Sequence, residues 1–227
     1  LEAAAMALTR GKDLAGRRVL ITSGANHEPI DPVRFIGNAS SGRMGRALAL
    51  EALCRGADVT VITGPAEVAP PAAVEVIPVR TAAEMYDAVM QRFDACDMLI
   101  AAAAVADYRS ASLEKVKIKR SGPITLELLP NPDIVAEAAR RRHDGQVVVG
   151  FAAETGNVPE NAAAKLAAKG LDLILANRVG GEDGAIGADD SEAWLIRAGI
   201  PPQALGRVSK SDIACRLLDA AAALLRG

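Results

Sequence analysis

The sequence is poor in the residues that build disulfide frameworks and metal centres. Its 227 residues include three cysteines and two histidines. Cys54, Cys96 and Cys215 are odd in number, widely spaced and set among apolar residues, which indicates reduced side chains that pack in a core. His27 and His143 have neither the spacing of zinc ligands nor that of a catalytic triad, and we predict a surface position for both.

An excess of charge and long apolar runs are also missing. The formal net charge is -2, so no overall field would attract nucleic acid or an anionic membrane surface. No apolar run approaches the ~20 residues of a membrane-spanning helix. The first residues lack the apolar core and cleavage site of a signal peptide. These absences predict a cytoplasmic protein with neither nucleic acid nor a membrane as its partner.

The chain does have enough apolar residues for a large core. They make up 50% of the sequence, which at this length favours one domain over two. We expect residues 1–16 to be a linker from a missing upstream domain. Residues 17–227 would then form a single nucleotide-binding domain.

Apolar strand candidates alternate with helix candidates along the chain. Such alternation is typical of an α/β fold, with a mainly parallel sheet and helices on both faces. The continuous apolar character of the strands indicates that both of their faces are buried. Strands are predicted at residues 17–22, 57–64, 73–79, 97–106, 146–153, 171–177 and 192–198.

Helix boundaries are marked by capping residues. Thr81 and Glu84 have the spacing of a capping box at the start of a helix over 81–93. Asn131 is predicted to cap a helix whose first turn contains Pro132. A third helix is predicted from Asn157 to a terminating glycine at 170, and a last one over residues 209–225.

One segment departs from the α/β pattern. Residues 115–129, KVKIKRSGPITLELL, have period two on both sides of a Ser-Gly-Pro turn, which predicts a β-hairpin. One face would carry Lys115, Lys117 and Lys119, either to bind phosphate or to protect a solvated edge strand from aggregation. The other face predicts contact with a second copy of the chain, because one small domain would leave its apolar residues exposed. These are Val116, Ile118, Leu126 and Leu128.

A glycine-rich turn precedes the first helix candidate, yet the turn contains no G-x-G. A helix beginning near Ser41 would present unpaired N–H groups and a positive dipole end, and Gly42 and Gly45 would let a phosphate approach closely. The alternative is that these glycines serve only a tight turn and helix packing. A P-loop is excluded, because Arg43 replaces its lysine and Met44 its magnesium-binding hydroxyl.

The polar, proline-containing loop over residues 23–38 is long for a compact domain, which indicates function. We expect it to overhang the carboxyl ends of the strands, where open α/β sheets bind ligands. Arg34 could bind a phosphate or carboxylate through its guanidinium, and Asn38 could both donate and accept hydrogen bonds. Either side chain could instead only hold the loop in place.

Six motifs, in this order, carry a resemblance to a known family. EPIDPVRFIGNASSGRMG, AAAVADYR, KIKR, NPDI, GFAAET and DLILAN resemble those of phosphopantothenoylcysteine synthetase, a ligase of coenzyme A biosynthesis. The resemblance extends over nearly the whole chain from residue 17. It implies a Rossmann-like sheet with a hairpin extension used for dimerisation. It also implies an upstream flavin-dependent decarboxylase domain in the full-length protein, as in most bacterial members.

The resemblance implies a two-step ligation with CTP and Mg²⁺. The carboxylate of 4'-phosphopantothenate would attack the α-phosphate of CTP, giving an acyl cytidylate and pyrophosphate. The amine of L-cysteine would then displace CMP and form 4'-phosphopantothenoylcysteine. A homodimer with shared active sites is implied as well. The residues alone do not distinguish CTP from ATP, and the resemblance names no magnesium ligand.

Roles for single residues follow from the same resemblance. Asn38 would bind the acyl intermediate, Arg34 would act in the second half-reaction, and Lys117 would neutralise charge in the first. The substrate would be bound by Asn38, Arg34, Ala103 and Asn177. The nucleotide would be bound by Gly24, Ser40, Ser41, Gly42, Met44, Gly45, Ala103, Ala104, Asp107, Lys117, Lys119, Asp133 and Phe151. The chain departs from the usual family residues at Ala25, Asn26, Ile186 and Ser191.

Two other classes of function stay open. An NAD(P)-binding oxidoreductase would have G-x-G-x-x-G and an acidic residue after its second strand, whereas the second strand candidate here ends ITGP. A non-catalytic nucleotide-binding protein could have the same pocket as the ligase.

Overall fold

The computed structural model describes residues 11–180 and 189–225. The helices are α1 (Arg43–Cys54), α2 (Ala82–Phe93), α3 (Ile134–Arg141), α4 (Val158–Lys169) and α5 (Lys210–Leu225). The strands are β1 (Arg18–Ser23), β2 (Glu28–Pro29), β3 (Phe35–Ile36), β4 (Asp58–Thr63), β5 (Glu75–Pro78), β6 (Met98–Ala101), β7 (Tyr108–Ser110), β8 (Leu128–Pro130), β9 (Val147–Glu154), β10 (Leu173–Arg178), β11 (Asp190–Arg197) and β12 (Ile200–Ser209).

An eight-stranded sheet forms the centre of the domain, in the order β12-β11-β10-β9-β6-β1-β4-β5. From β10 to β5 all neighbouring strands are parallel, whereas β11 and β12 are antiparallel additions at one edge. The parallel strands follow the order of a Rossmann fold, with β1 in the middle and the chain crossing it between β5 and β6. The predicted α/β, Rossmann-like class is confirmed.

Helices cover both faces of the sheet. Successive residues of a strand point to opposite faces, so Val19 belongs to one core and Leu20 to the other. The first core is closed by α1 and α5, for example through Leu48 and Leu217. The second is closed by α2, α3 and α4, with Met85 fully buried. Both faces of β1, β6 and β9 are therefore buried, as their continuous apolar sequences predict.

The capping predictions were correct for two helices and wrong for one. The Thr81 side chain accepts from the Glu84 N–H at 3.2 Å, and the reciprocal half of the capping box is present. Helix α4 runs from Asn157 as N-cap to a left-handed glycine at 170. For α3 the cap is Asp133 and not Asn131, because the Asp133 carboxylate accepts from the N–H three residues later. The Asn131 amide instead donates to the carbonyl of residue 106.

The predicted hairpin over residues 115–129 is not formed. Its first arm has no strand structure, and only Leu128–Pro130 is extended, paired antiparallel with Tyr108–Ser110. Residues 111–127 therefore form an irregular extension beyond this short ladder. A lone hairpin is marginally stable in water, and the described residues leave Val116 75% and Ile124 56% exposed.

Strand β12 was missed, because prolines at positions 201 and 202 argue against a strand. It lies at the sheet edge, where one side of the backbone needs no partner, and it pairs with β11 in an irregular register.

The predicted linker over residues 1–16 is partly packed against the domain. Leu14 is fully buried, and the Lys12 ammonium donates to the carbonyl of Cys54 at 2.8 Å. The packed domain therefore begins before residue 17.

The predicted state of the cysteines is confirmed. Cys54 and Cys96 are buried, Cys215 is half-buried, and no disulfide joins any two of these side chains. Burial raises the pKa of Cys96 to about 12, so its thiol is protonated at neutral pH.

His27 stacks on Phe35, with ring centroids 3.6 Å apart, and is not a freely solvated side chain. Within residues 11–180 and 189–225, no helix is long and apolar enough to cross a membrane.

Candidate functional site

The candidate site lies where the strand order reverses. The chain leaves β1 toward β4 on one side and later returns to β6 on the other. The loops that follow β1 and β6 therefore diverge and leave a crevice at the carboxyl ends of the strands. An isolated bridge between Ala25 and Ala104, and a hydrogen bond from the Asn38 side chain to the carbonyl of Val105 at 2.9 Å, join the two loops beside it.

A cavity of about 440 Å³, which we call the main cavity, occupies this crevice. It brings together residues that are far apart in sequence, from the loop after β1, from the start of α1, from the loop after β6 and from the ends of β9 and β10. Twelve residues singled out from the sequence line it: Gly24, Asn38, Ser40, Ser41, Gly42, Met44, Gly45, Ala103, Ala104, Asp107, Phe151 and Asn177.

The structure requires glycine at two positions of the turn at the start of α1. Helix α1 begins at Arg43, two residues after the predicted start, because Gly42 has a left-handed φ of 79° and serves as N-cap. A Cβ on Gly42 would lie 2.8 Å from the Ala66 side chain, and one on Gly45 would overlap Ser23. Packing of α1 against the end of β1 thus requires glycine at position 45. This agrees with the alternative that the glycines of this turn serve helix packing.

The same turn leaves an open helix end at the cavity wall. No side chain caps α1, and no acidic residue lies in its first turn, whereas α2 and α3 are capped by Thr81 and Asp133. Unpaired N–H groups and the helix dipole favour an anion at such an end. The hydroxyls of Ser40 and Ser41 line the same wall. Glycine packing and anion binding are therefore compatible in this turn.

The charges on the described wall of the main cavity are mostly positive. Arg43, Lys165 and Lys210 line it, and Asp107 is the sole carboxylate among its described lining residues. This composition favours an anionic ligand. The two lysines were not predicted as site residues. Lys165 follows the GFAAET motif on α4 and Lys210 opens α5, and no local pattern marks either of them as a cavity residue.

A smaller cavity of about 220 Å³ adjoins the main one and shares Asp107, Phe151 and Lys165 with it. Asp133, predicted as a nucleotide-binding residue, lies on its wall beside Lys169. The Lys169 ammonium is 2.7 Å from the Asp133 carboxylate. Burial raises the pKa of Asp133, but the hydrogen bonds from Lys169 and from the α3 backbone outweigh this effect and lower it overall. Asp133 is therefore ionised at neutral pH.

Besides Asp133, three predicted residues lie outside the main cavity. The Arg34 guanidinium donates to the Asp31 carboxylate at 2.6 Å and to the carbonyl of Ile118 at 3.1 Å. Lys117 lines a separate cavity of about 450 Å³ under the extension. Lys119 is exposed on the extension. Within one chain, the lysines of the KIKR motif are not on the wall that carries Asn38.

Three of the four departures from the family motifs fall on described residues, and these three lie behind the wall of the main cavity. Ala25 is buried, and Asn26 is fully buried with no hydrogen-bond partner for its amide among the described residues. Neither lines the main cavity. Ser191 is buried on β11, where its hydroxyl meets the Lys210 ammonium at 3.4 Å. Ile186 lies outside the described residues.

Comparison with known proteins identifies the family. Residues 14–225 match the model of the DNA/pantothenate metabolism flavoprotein C-terminal domain. The chain belongs to this family. It is 47% identical over 227 residues to the coenzyme A biosynthesis bifunctional protein CoaBC of Mycobacterium tuberculosis, an alignment that covers 95% of this chain and 54% of the relative. The chain thus spans about half the length of the curated relatives that it matches.

Solved structures agree with the assignment. The crystal structure of the C-terminal domain of a CoaBC protein is 34% identical, with a TM-score of 0.81 over 95% of this chain and 99% of that one. A Cab2 variant in complex with phosphopantothenate-cysteine has the same fold, with a TM-score of 0.79 at 15% identity, over 99% of this chain and 92% of that one. The family membership that the six motifs predict is therefore confirmed.

Proposed function

We propose that this domain joins 4'-phosphopantothenate to L-cysteine with CTP, through an acyl cytidylate. The observation that carries the proposal is that Asn38, the open N-terminus of α1 and a mostly cationic wall converge on one cavity at the switch point of the sheet. The phosphate tail of the nucleotide and the second anionic substrate would both bind in this cavity of about 440 Å³. Membership of the family supports the same reaction.

In the first step, a carboxylate oxygen of phosphopantothenate forms a bond to the α-phosphorus of CTP. The bond from that phosphorus to the bridging oxygen breaks, and pyrophosphate leaves with the electron pair. The Ser40–Gly45 turn would hold phosphate oxygens through its N–H groups. Lys165 and the lysines of the extension would neutralise negative charge as it shifts, which is often the largest catalytic contribution.

In the second step, the cysteine amine forms a bond to the acyl carbon, and the bond from that carbon to the cytidylate oxygen breaks. CMP leaves, and the amine loses its proton. An acyl cytidylate is prone to hydrolysis, so it must be held away from water. Asn38 would bind its acyl region with a neutral amide, because a negatively charged group there would repel the adjacent phosphate. Asn177, on the same wall, would contact the substrate.

Magnesium would be held by the nucleotide together with a single protein carboxylate. Mg²⁺ commonly takes one or two carboxylates plus phosphate oxygens and water. Asp107 is the carboxylate that the described wall of the main cavity offers. Residues 11–180 and 189–225 contain no group of three or more histidine, cysteine or acidic side chains placed so that it could hold a metal ion. The donor set therefore fits an ion that arrives with CTP and reduces the charge of its phosphates.

We propose a symmetric homodimer in which the extension of one protomer completes the site of the other. Val116, Leu113 and Ile124 are 75%, 61% and 56% exposed on this extension, and clustered apolar exposure of this kind marks an interface. Lys117 does not line the main cavity of its own chain, and delivery to a partner's site would place it there. In the full-length protein we expect an upstream flavin-dependent decarboxylase domain.

The test is the complete reaction of the purified domain with phosphopantothenate, L-cysteine, Mg²⁺ and CTP. We expect phosphopantothenoylcysteine by mass spectrometry, with CMP and pyrophosphate in equal amounts. Parallel reactions with ATP and UTP define the base preference, and thermal shift with NADPH tests the oxidoreductase alternative, since a ligand of the folded state raises its stability. CTP binding without product would instead favour a non-catalytic nucleotide-binding protein.

A further inference from the structure

Lys210 is a half-buried cation to which the reaction above gives no role. It is the first residue of α5, and its backbone N–H donates to the carbonyl of Asp189 at 3.0 Å. Its side chain lines the main cavity and also a neighbouring cavity of about 380 Å³, here called the outer cavity. Arg43 lines both cavities as well, whereas Arg46 lines the outer one. Lys210 therefore stands in the wall between the two.

The described part of the chain does not neutralise the Lys210 ammonium. Its hydrogen-bond partner is the Ser191 hydroxyl, at 3.4 Å. Two acidic residues are near, but the Asp189 carboxylate pairs with Arg43 and the Asp190 carboxylate with an arginine of β12. Among the described residues, no carboxylate forms an ion pair with Lys210. The charge is left available to a ligand.

The surroundings of Lys210 favour an anion. Burial lowers the pKa of Lys210 and the Arg43 charge lowers it further, against opposing effects of Asp189 and Asp190. A bound anion would reverse this shift, because an opposite charge favours the ammonium form. The open N-terminus of α1 lies on the same cavity wall. Lys210 and this helix end are two separate features of the main cavity that favour phosphate.

We propose that Lys210 binds the β- and γ-phosphates of the nucleotide and stabilises the pyrophosphate that leaves in the first step. This inference rests on the proposed ligase function. Asn38 would hold the acyl end of the intermediate, next to the α-phosphate. The phosphates beyond it then extend along the cavity wall toward α5. When the bond between the α-phosphorus and the bridging oxygen breaks, the departing pyrophosphate gains negative charge, and an ammonium group beside it stabilises that charge.

The experiment compares three ligands and four proteins. Isothermal titration calorimetry with Mg²⁺ gives the Kd values of CTP, CMP and inorganic pyrophosphate for the wild type, Lys210→Gln, Lys210→Arg and Arg46→Gln. For Lys210→Gln we expect Kd to rise about tenfold or more for CTP and pyrophosphate. Kd for CMP, which lacks both outer phosphates, should stay within about twofold. Lys210→Arg keeps the charge and should stay closer to the wild type.

Arg46→Gln is the matched control, because it removes one positive charge from the outer cavity, where the Arg46 guanidinium donates to the carbonyl of Ala69 at 3.0 Å. Its Kd values should not change. Unchanged CTP binding by Lys210→Gln overturns the inference, as does an equal loss for CMP or a larger loss in Arg46→Gln. Melting temperatures exclude misfolding. Failure of the proposed ligase function can be distinguished from failure of this inference, because the first is measured by product formation and the second by binding. A wild type that forms no product can still bind pyrophosphate through Lys210.

Discussion

The carboxylate of Asp31 accepts a hydrogen bond from the backbone N–H of Ile118 at 3.1 Å, and so joins the loop after β1 to the segment that carries Lys117. The same carboxylate accepts from the N–H groups of Val33 and Arg34, both at 2.8 Å, and from the Arg34 guanidinium. The Asp31 side chain is fully buried. Burial raises the pKa of Asp31, but these donors outweigh it and lower the pKa to about 2.

Replacing this acceptor should loosen the extension. Asp31→Asn removes the charge and replaces one acceptor oxygen by a donor, so at least one of the four contacts is lost. We expect trypsin to cleave after Lys117 and Lys119 several-fold faster in the variant, measured by limited digestion with mass-spectrometric mapping of the first cuts. Asp58→Asn, on an exposed side chain at the start of β4, is the control. An unchanged cleavage pattern would show that Asp31 does not hold the segment.

The depressed pKa of Asp31 also gives its stability contribution a definite pH dependence. An unfolded aspartate titrates near ~3.9, whereas folded Asp31 stays charged down to about 2. The contribution is therefore complete above about pH 4 and is lost as the pH falls toward the folded value. The free energy of unfolding of wild type minus that of Asp31→Asn, from urea melts, should be flat near neutrality and shrink below about pH 4. If this difference in the free energy of unfolding increases as the pH falls, the depressed pKa of Asp31 is contradicted.

Loss of the Lys117 charge should block the first half-reaction. We expect Lys117→Gln to reduce pyrophosphate release by at least ~10²-fold, because a charge that stabilises the transition state is removed. Circular dichroism and the melting temperature should be unchanged, since Lys117 belongs to an irregular segment. Lys115→Gln is the matched control from the same extension. Full activity of Lys117→Gln would leave these lysines with only a solubilising role.

A shared active site predicts that two inactive variants complement each other. In a symmetric dimer, a Lys117→Gln protomer paired with an Asn38→Asp protomer contains one intact site if Lys117 acts across the interface. Mixing and re-equilibrating the two variants should restore about a quarter of wild-type activity, since about half of the dimers are mixed and each has one good site. Sedimentation at micromolar concentration should give a dimer. An active monomer, or no complementation, contradicts the shared site.

Asn38→Asp should separate nucleotide binding from ligation. A carboxylate at this position adds a negative charge beside the α-phosphate and removes the donor that now bonds the carbonyl of Val105. We expect near-normal CTP binding and product formation reduced by ~10²- to 10³-fold. Radiolabelled phosphopantothenate, quenched with and without cysteine, measures intermediate and product separately. Asn38→Ala, which removes the amide without adding charge, isolates the effect of the charge. Normal product formation by Asn38→Asp would return this loop to a structural role.

Gly45→Ala should reduce stability through packing. The added Cβ would overlap Ser23 at the end of β1, so α1 must shift, and overpacking of this kind costs about 1–3 kcal/mol. Urea unfolding measures the change. Gly156→Ala, where nothing lies within 4 Å of the added Cβ, should be close to neutral. The double variant Ser23→Gly/Gly45→Ala should recover part of the loss. A loss of CTP binding with unchanged stability would assign Gly45 to the ligand instead.

The sequence by itself determined the features that depend on a few neighbouring residues. The capping box of Thr81 and Glu84 is local, because its hydrogen bonds join residues within one turn. The apolar patterns of the strand candidates were enough to predict the central sheet and the α/β fold class. The position of Asn38 at the cavity follows from these, since loops after parallel strands meet at one edge.

The tertiary structure decided what depends on distant partners. Lys165 of α4 and Lys210 of α5 line the same cavity because the strand order brings these two helices to the switch point of the sheet. No local sequence pattern predicts that the two lysines lie on one cavity wall. Strand β12 likewise depends on a sheet edge that propensity alone does not reveal. Asn131 does not cap α3 because its amide bonds the carbonyl of residue 106, which is distant in sequence. The extension stays irregular although its period-two pattern favours a hairpin, because alternating apolar residues form stable strands only where a second surface buries them.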